Sequence, residues 1–387
     1  MRQDLTIRLT MNWIKNQNLL LLIVSIFVSF ALFLVVDVSL GSRLVKPNIL
    51  QLQDKPYVDL NGGWYELKKN FTGQDEYGSL RFSVSTDKNG FRKSGIETDH
   101  VKSDVIFLGD SFTYGINGPW EETFVGMYEK LSGVKVLNAG VASYSPTPYL
   151  YQYKKALDRK LLNKQHIVVI GLDISDVQDE ATRWTWDDEM GNHPRLRNWT
   201  PQKYSITQKF RMNLSSALPM TSNIYRFVRY NVIKPLLGSP SPETTQAERE
   251  LNTINLPRSA FTWQSWNMLN RTGNGYAPLG VNGGLESITE RVMQINELVD
   301  DEQSKIFLLI YPWPAQLFHK DIFDWSEWTQ HLCEKLTCDG VIDTIPKFRK
   351  QAIENDKWFS EFYVPGDVHF NERGNKVVAE SLLKVLP

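Results

Sequence analysis

The sequence predicts an α/β fold in which a parallel sheet is flanked by helices. Three observations lead there. Short apolar, β-rich runs recur at residues 105–108, 166–170 and 305–311. Stretches with helical character alternate with them: 121–131, 286–298 with Ile288, Val292, Ile295 and Leu298 on one face, and 376–386 at the end of the chain. The runs also end in glycine, proline or small polar residues, as strands do where an open α/β sheet meets its ligand.

The elements follow in chain order. At 387 residues the chain is long enough for one elaborated α/β domain, and a formal net charge of -1 gives no basic surface for a nucleic-acid backbone. Residues 19–36 form an apolar stretch with no charge between Lys15 and Asp37, enough to cross a hydrocarbon core about 30 Å thick. Arg2, Arg8 and Lys15 precede it, against Asp4. That balance predicts a cytoplasmic segment 1–18, a transmembrane signal anchor 19–36, and the rest on the far side of the membrane. A cleaved signal peptide is the alternative, although the run is long and the residues after it fit cleavage poorly.

Residues 37–100 read as a linker and a small N-terminal extension. Strands are expected at 65–71 and 80–86, and Asp87-Lys88-Asn89-Gly90 is a strong turn signal. Arg92, just beyond the turn, is a candidate to meet a substrate carboxylate or phosphate; a surface salt bridge is its plainer reading.

The run 105–108 leads straight into Gly109-Asp110-Ser111-Phe112-Thr113-Tyr114-Gly115. A serine between a buried strand and a helix is well placed for activation, because nearby backbone N–H groups can stabilise a developing oxyanion. Such a hydroxyl needs a base, usually an imidazole oriented by a carboxylate. Asp367-Val368-His369 supplies both groups on a loop before the terminal helix, followed by Asn371 and Gly374. His100, His166, His193, His319 and His331 lack such a context. Between these ends lie Asn138-Ala139-Gly140-Val141-Ala142-Ser143, a strand running into a glycine turn, and Gly171-Leu172-Asp173-Ile174-Ser175-Asp176 after the run 166–170.

In order and content these four stretches resemble the blocks of the GDSL/SGNH hydrolases, over residues 101–387. The resemblance implies a flavodoxin-like sheet and the catalytic residues Ser111, Asp367 and His369. The Asp–His interval is one residue shorter than the family's commonest spacing. It also implies an oxyanion hole from the backbone N–H groups of Ser111 and Gly140. Where the family carries an asparagine donor, this chain offers Ser175, or Asp173 in another register; Ser175 is preferred because a carboxylate would repel an oxyanion. No cofactor and no metal is required.

A large insertion, about 178–286, interrupts the resemblance. Its Trp184, Trp186, Trp263 and Trp266 suit stacking on sugar rings, and equally suit an ordinary core or a membrane interface. Trp313 and Gln316, beyond the run 305–311, are placed to line the site as substrate-binding candidates. Cys333 and Cys338 can form a disulfide in an oxidising compartment, with free thiols as the alternative. The resulting expectation is an inner-membrane, single-pass serine esterase with a periplasmic or extracellular domain. Its substrate would be acyl, chiefly O-acetyl, esters of an envelope or extracellular glycan, alongside polysaccharide-modification proteins and without nucleic acid. A glycan O-acetyltransferase using the same residues and a non-catalytic glycan-binding or scaffolding protein are the alternatives.

Overall fold

The computed structural model describes residues 55–197, save 61, 78–79, 96–101, 117 and 189–191. It also describes 276–387, save 300–303, 319–322, 355–357 and 365–366, and isolated positions between 21 and 32. Most of the expected anchor, the linker up to 54 and insertion residues 198–275 lie outside the described residues. Leu21, Val24, Val28 and Leu32 are helical and exposed. Among the described residues no helix is long and apolar enough to cross a membrane.

The N-terminal extension supplies β1 (Tyr57–Asp59), β2 (Tyr65–Leu67), β3 (Thr72–Tyr77), β4 (Leu80–Thr86) and β5 (Arg92–Lys93). Next come β6 (Ser103–Leu108), α1 (Ser111–Tyr114), α2 (Phe124–Ser132), β7 (Val136–Asn138) and α3 (Pro146–Asp158). They lead into β8 (Leu162–Leu172), α4 (Ile174–Thr182) and the hairpin β9 (Trp184–Asp187) and β10 (His193–Leu196). After the insertion follow α5 (Gly280–Glu297), β11 (Lys305–Ile310), α6 (Pro314–Phe318), α7 (Trp325–Leu336) and β12 (Gly340–Asp343). The chain closes with α8 (Ile345–Glu354), α9 (Trp358–Phe362) and α10 (Glu372–Leu382).

β7, β6, β8, β11 and β12 lie side by side in that order and pair in parallel. Counted along the chain this is 2-1-3-4-5, the flavodoxin-like order, with its switch point between β6 and β8. Both faces of such a sheet are covered, so its strands read as unbroken apolar runs; Val105 to Leu108 and Val168 to Ile170 are all buried. β5 joins antiparallel to β7 through Arg92 and Asn138, and β4 and β3 extend that edge as a hairpin.

Several boundaries move for local reasons. The helix expected at 121–131 begins only at Phe124, because Thr123 caps it by accepting the Gly126 N–H, while Trp120–Glu122 form a 3-10 turn. The terminal helix starts earlier than 376, since the Asn371 side chain accepts the Arg373 and Gly374 amides. The helix expected from 286 begins at Gly280. β3 was not expected: its sequence Thr-Gly-Gln-Asp-Glu-Tyr has no apolar alternation, and only Asp75 is buried. Cys333, in α7, and Cys338, just before β12, are joined by a disulfide.

Candidate active site

Ser111 stands at the carboxyl end of β6 as the first residue of α1. The turn is close: a Cβ on Gly109 would overlap Thr113 Oγ1. Asp110 caps α1 by accepting the Phe112 N–H at 2.9 Å. Asp367 and His369 lie on the loop between α9 and α10, which backbone bonds from Val364 N to His369 O and from Asn371 N to Phe362 O hold in place.

Residues 258 positions apart in sequence meet here. Ser111 Oγ lies 2.7 Å from His369 Nε2, and His369 Nδ1 lies 2.7 Å from Asp367 Oδ1. With the imidazole hydrogen on Nδ1, the ring donates to Asp367 and its Nε2 lone pair accepts the serine hydrogen. This is a complete path for taking a proton from the hydroxyl. Asp110 Oδ2 is a second acceptor for Ser111, more distant at 3.2 Å.

Beneath the site sits a group of buried carboxylates, Asp110, Asp173 and Asp176. Burial first, and then the charge of Asp173, pushes the Asp110 carboxyl well above its ordinary range. Asp176 is raised in the same way, by burial and then by Asp173 and Asp110. Hydroxyls of Tyr311 and Tyr149 donate to Asp110 and Asp176, at 3.1 and 3.0 Å.

A cavity of about 60 Å³ opens on Ser111 and His369, and Tyr77, Ser143, Ser175 and Trp313 also line it. Trp313 therefore reaches the site as expected, its indole N–H donating to Asp173 Oδ2 at 2.8 Å. Gln316 does not line the cavity; it is buried and accepts the Trp313 N–H at 2.9 Å.

The expected oxyanion donors need correction. The Gly140 N–H donates to Asn138 Oδ1 at 2.9 Å. Its missing Cβ makes room for the Thr113–Tyr114 backbone, which a side chain would strike. Glycine is thus needed here for packing under the nucleophile helix, and its amide already has a partner. Ser175 does line the cavity, but its hydroxyl and its amide both donate to Asp173 Oδ1 at 2.7 Å. In this arrangement Ser175 presents lone pairs to the cavity.

Ser143 is the residue that sequence reasoning missed. It adopts a left-handed conformation (φ 59), in a turn closed by Tyr144 N donating to Val141 O. The Tyr65 hydroxyl holds the Ala142 carbonyl, and the Trp184 indole holds that of Ser143. A trans peptide directs its N–H opposite to its carbonyl, so the Ser143 amide points away from Tyr65. Glycine or asparagine usually marks such a position; a serine hides it.

Arg92 fits neither of its expected roles. At 2% exposed it is buried, and its guanidinium donates to the carbonyls of Tyr114, Gly115 and Gly118. It is a strut under the segment that follows Ser111. Trp184 is likewise core, fully buried and donating to Ser143 O, and is not a sugar platform. Trp263 and Trp266 lie outside the described residues.

The 2-1-3-4-5 sheet, the turn bearing Ser111 and the Ser111–His369–Asp367 hydrogen-bond chain together define a flavodoxin-like α/β fold with a serine–histidine–aspartate arrangement at the carboxyl ends of its strands. No family model and no curated protein matches the chain. Among solved structures it is similar to a member of the lipolytic protein G-D-S-L family from Veillonella parvula DSM 2008. That match has 12% identity and a TM-score of 0.37, covering 73% of this chain and 97% of that one. It is also similar to a catalytic mutant of an acetylxylan esterase from Geobacillus stearothermophilus. There the identity is 11% and the TM-score 0.36, covering 74% of this chain and 95% of that one.

Proposed function

We propose that the chain is a membrane-anchored serine esterase that removes short acyl groups, chiefly O-acetyl, from an envelope or extracellular glycan. The observation that carries the reading is the continuous hydrogen-bond chain from Ser111 through His369 to Asp367, opening on a small cavity. Ser111 Oγ attacks the acyl carbonyl carbon while its proton passes to His369 Nε2. The tetrahedral oxyanion is held by the Ser111 N–H, a first-turn amide without an intrahelical acceptor, and by the Ser143 N–H. Collapse breaks the ester bond, and His369 returns the proton to the leaving glycan oxygen. Water, deprotonated by the same imidazole, then releases the acyl group as its acid.

The anchor reading rests on the apolar run 19–36, uncharged between Lys15 and Asp37. A disulfide between Cys333 and Cys338 fits a domain exported to an oxidising periplasmic or extracellular space. Proteins that modify the same polysaccharide are the proposed partners.

The test is hydrolysis of p-nitrophenyl acetate, then of an O-acetylated glycan, by the full-length protein beside Ser111→Ala. Wild-type turnover should exceed that of the variant by roughly 10³-fold or more. Equal inertness of the two proteins would overturn the esterase reading in favour of a donor-dependent O-acetyltransferase or a glycan-binding role.

A further inference from the structure

Among the described residues that line the site, Tyr77 is the one that comes from the N-terminal extension. Tyr77 ends β3 in the N-terminal hairpin, lines the cavity, and meets the His369 ring edge-on, with centroids 5.0 Å apart and planes at 85°. It is 38% exposed, so its ring stands at the cavity mouth and not in the core. Its position is fixed from behind. Asp75 lies two residues back on the same face of the strand and is buried. Its Oδ2 accepts the hydroxyls of Tyr114 at 2.9 Å and Tyr57 at 3.0 Å. Tyr114 is the last residue of the helix that Ser111 begins, so the hairpin is pinned to the nucleophile's own helix.

We infer that Tyr77 sets the acyl-chain length this site accepts, by closing the cavity over His369; the inference rests on the acyl-ester reading above. The cavity of about 60 Å³ holds only a few water-sized groups, at ~10–15 Å³ for each. That is room for the methyl, carbonyl carbon and two oxygens of an acetyl ester. An octanoyl chain has six further methylenes and needs the space that the tyrosine ring fills.

The experiment compares kcat/KM for p-nitrophenyl acetate and octanoate in the full-length wild type, Tyr77→Ala and Tyr77→Phe. Tyr77→Ala should shift the octanoate-to-acetate ratio toward octanoate by about 10-fold or more. Tyr77→Phe, which keeps the ring, should retain the wild-type ratio. An unchanged ratio in Tyr77→Ala, or an equal shift in both variants, overturns the inference. If the wild type turns over neither ester, the esterase reading fails separately. The rate of Ser111 labelling by methyl and octyl fluorophosphonates, with Ser111→Ala as blank, then decides the matter. Selective acceleration of the octyl reagent in Tyr77→Ala supports the assignment, and no such selectivity overturns it.

Discussion

Asp367 Oδ1 accepts hydrogens from three donors: the Val368 amide at 2.6 Å, the His369 amide at 3.3 Å and His369 Nδ1 at 2.7 Å. The first two orient the carboxylate, and the third sets which imidazole nitrogen carries the proton. In Asp367→Asn an amide N–H2 can face Nδ1 and drive the hydrogen to Nε2, where it blocks transfer from Ser111. kcat on p-nitrophenyl acetate should fall by about 10³–10⁴-fold with KM nearly unchanged; an unchanged kcat would remove Asp367 from the mechanism. Ser111, Asp367 and His369 were legible in the sequence because each sits in a short motif whose neighbours shape its own turn. Ser143 and Tyr77 were not. The place of Ser143 comes from a left-handed turn whose carbonyls are held by Tyr65 and Trp184, and that of Tyr77 from the end of a strand 34 residues ahead of Ser111 in the chain.

Helices α4 and α5 show how an element can override its own propensities. Gly283 and Gly284 disfavour helix, yet α5 runs through both. The reason is close packing: a Cβ on Gly284 would overlap the Val177 carbonyl of α4. Gly284→Ala, neutral or helpful in an isolated helix, should cost about 1–3 kcal/mol here, read as a lower urea midpoint at unchanged slope. An equal or higher midpoint would show that the two helices separate without penalty. Arg92 teaches the same lesson from the opposite side. After a turn signal an arginine reads as surface, but β5 joins the sheet edge beside β7 and carries it inside. Its partners there are carbonyls more than twenty residues away, at Tyr114, Gly115 and Gly118.

Across the whole domain, the carboxyl ends of β6 and β8 bring Asp110, Asp173 and Asp176 together out of water. Burial, followed by mutual repulsion, raises the Asp110 and Asp176 carboxyls above their ordinary value of 3.8. A raised folded-state pKa means that these groups contribute full stability below the unfolded value, and that this contribution is lost as pH rises through the folded one. Stability should therefore decline from about pH 4 upward through the raised range. Asp176→Asn keeps an acceptor for the Asp173 N–H and sets an N–H2 facing the Tyr149 hydroxyl oxygen where the charged carboxylate accepts from it, and so imitates the protonated form. Its melting temperature should fall less steeply with pH than that of the wild type. Superimposable pH profiles would show that Asp176 does not carry this dependence.

The apolar strands and the order of the nucleophile and acid–histidine blocks were present in the chain before it folded. Each rests on residues within a few positions of one another, where apolar runs, caps and turn geometry act. Other features had no local signature: β3 in the sheet, Arg92 under the nucleophile segment, and Tyr77 over His369. A charged strand and a buried cation are stable only once a neighbouring strand and distant carbonyls supply their hydrogen bonds and exclude water, and that supply exists only in the assembled sheet.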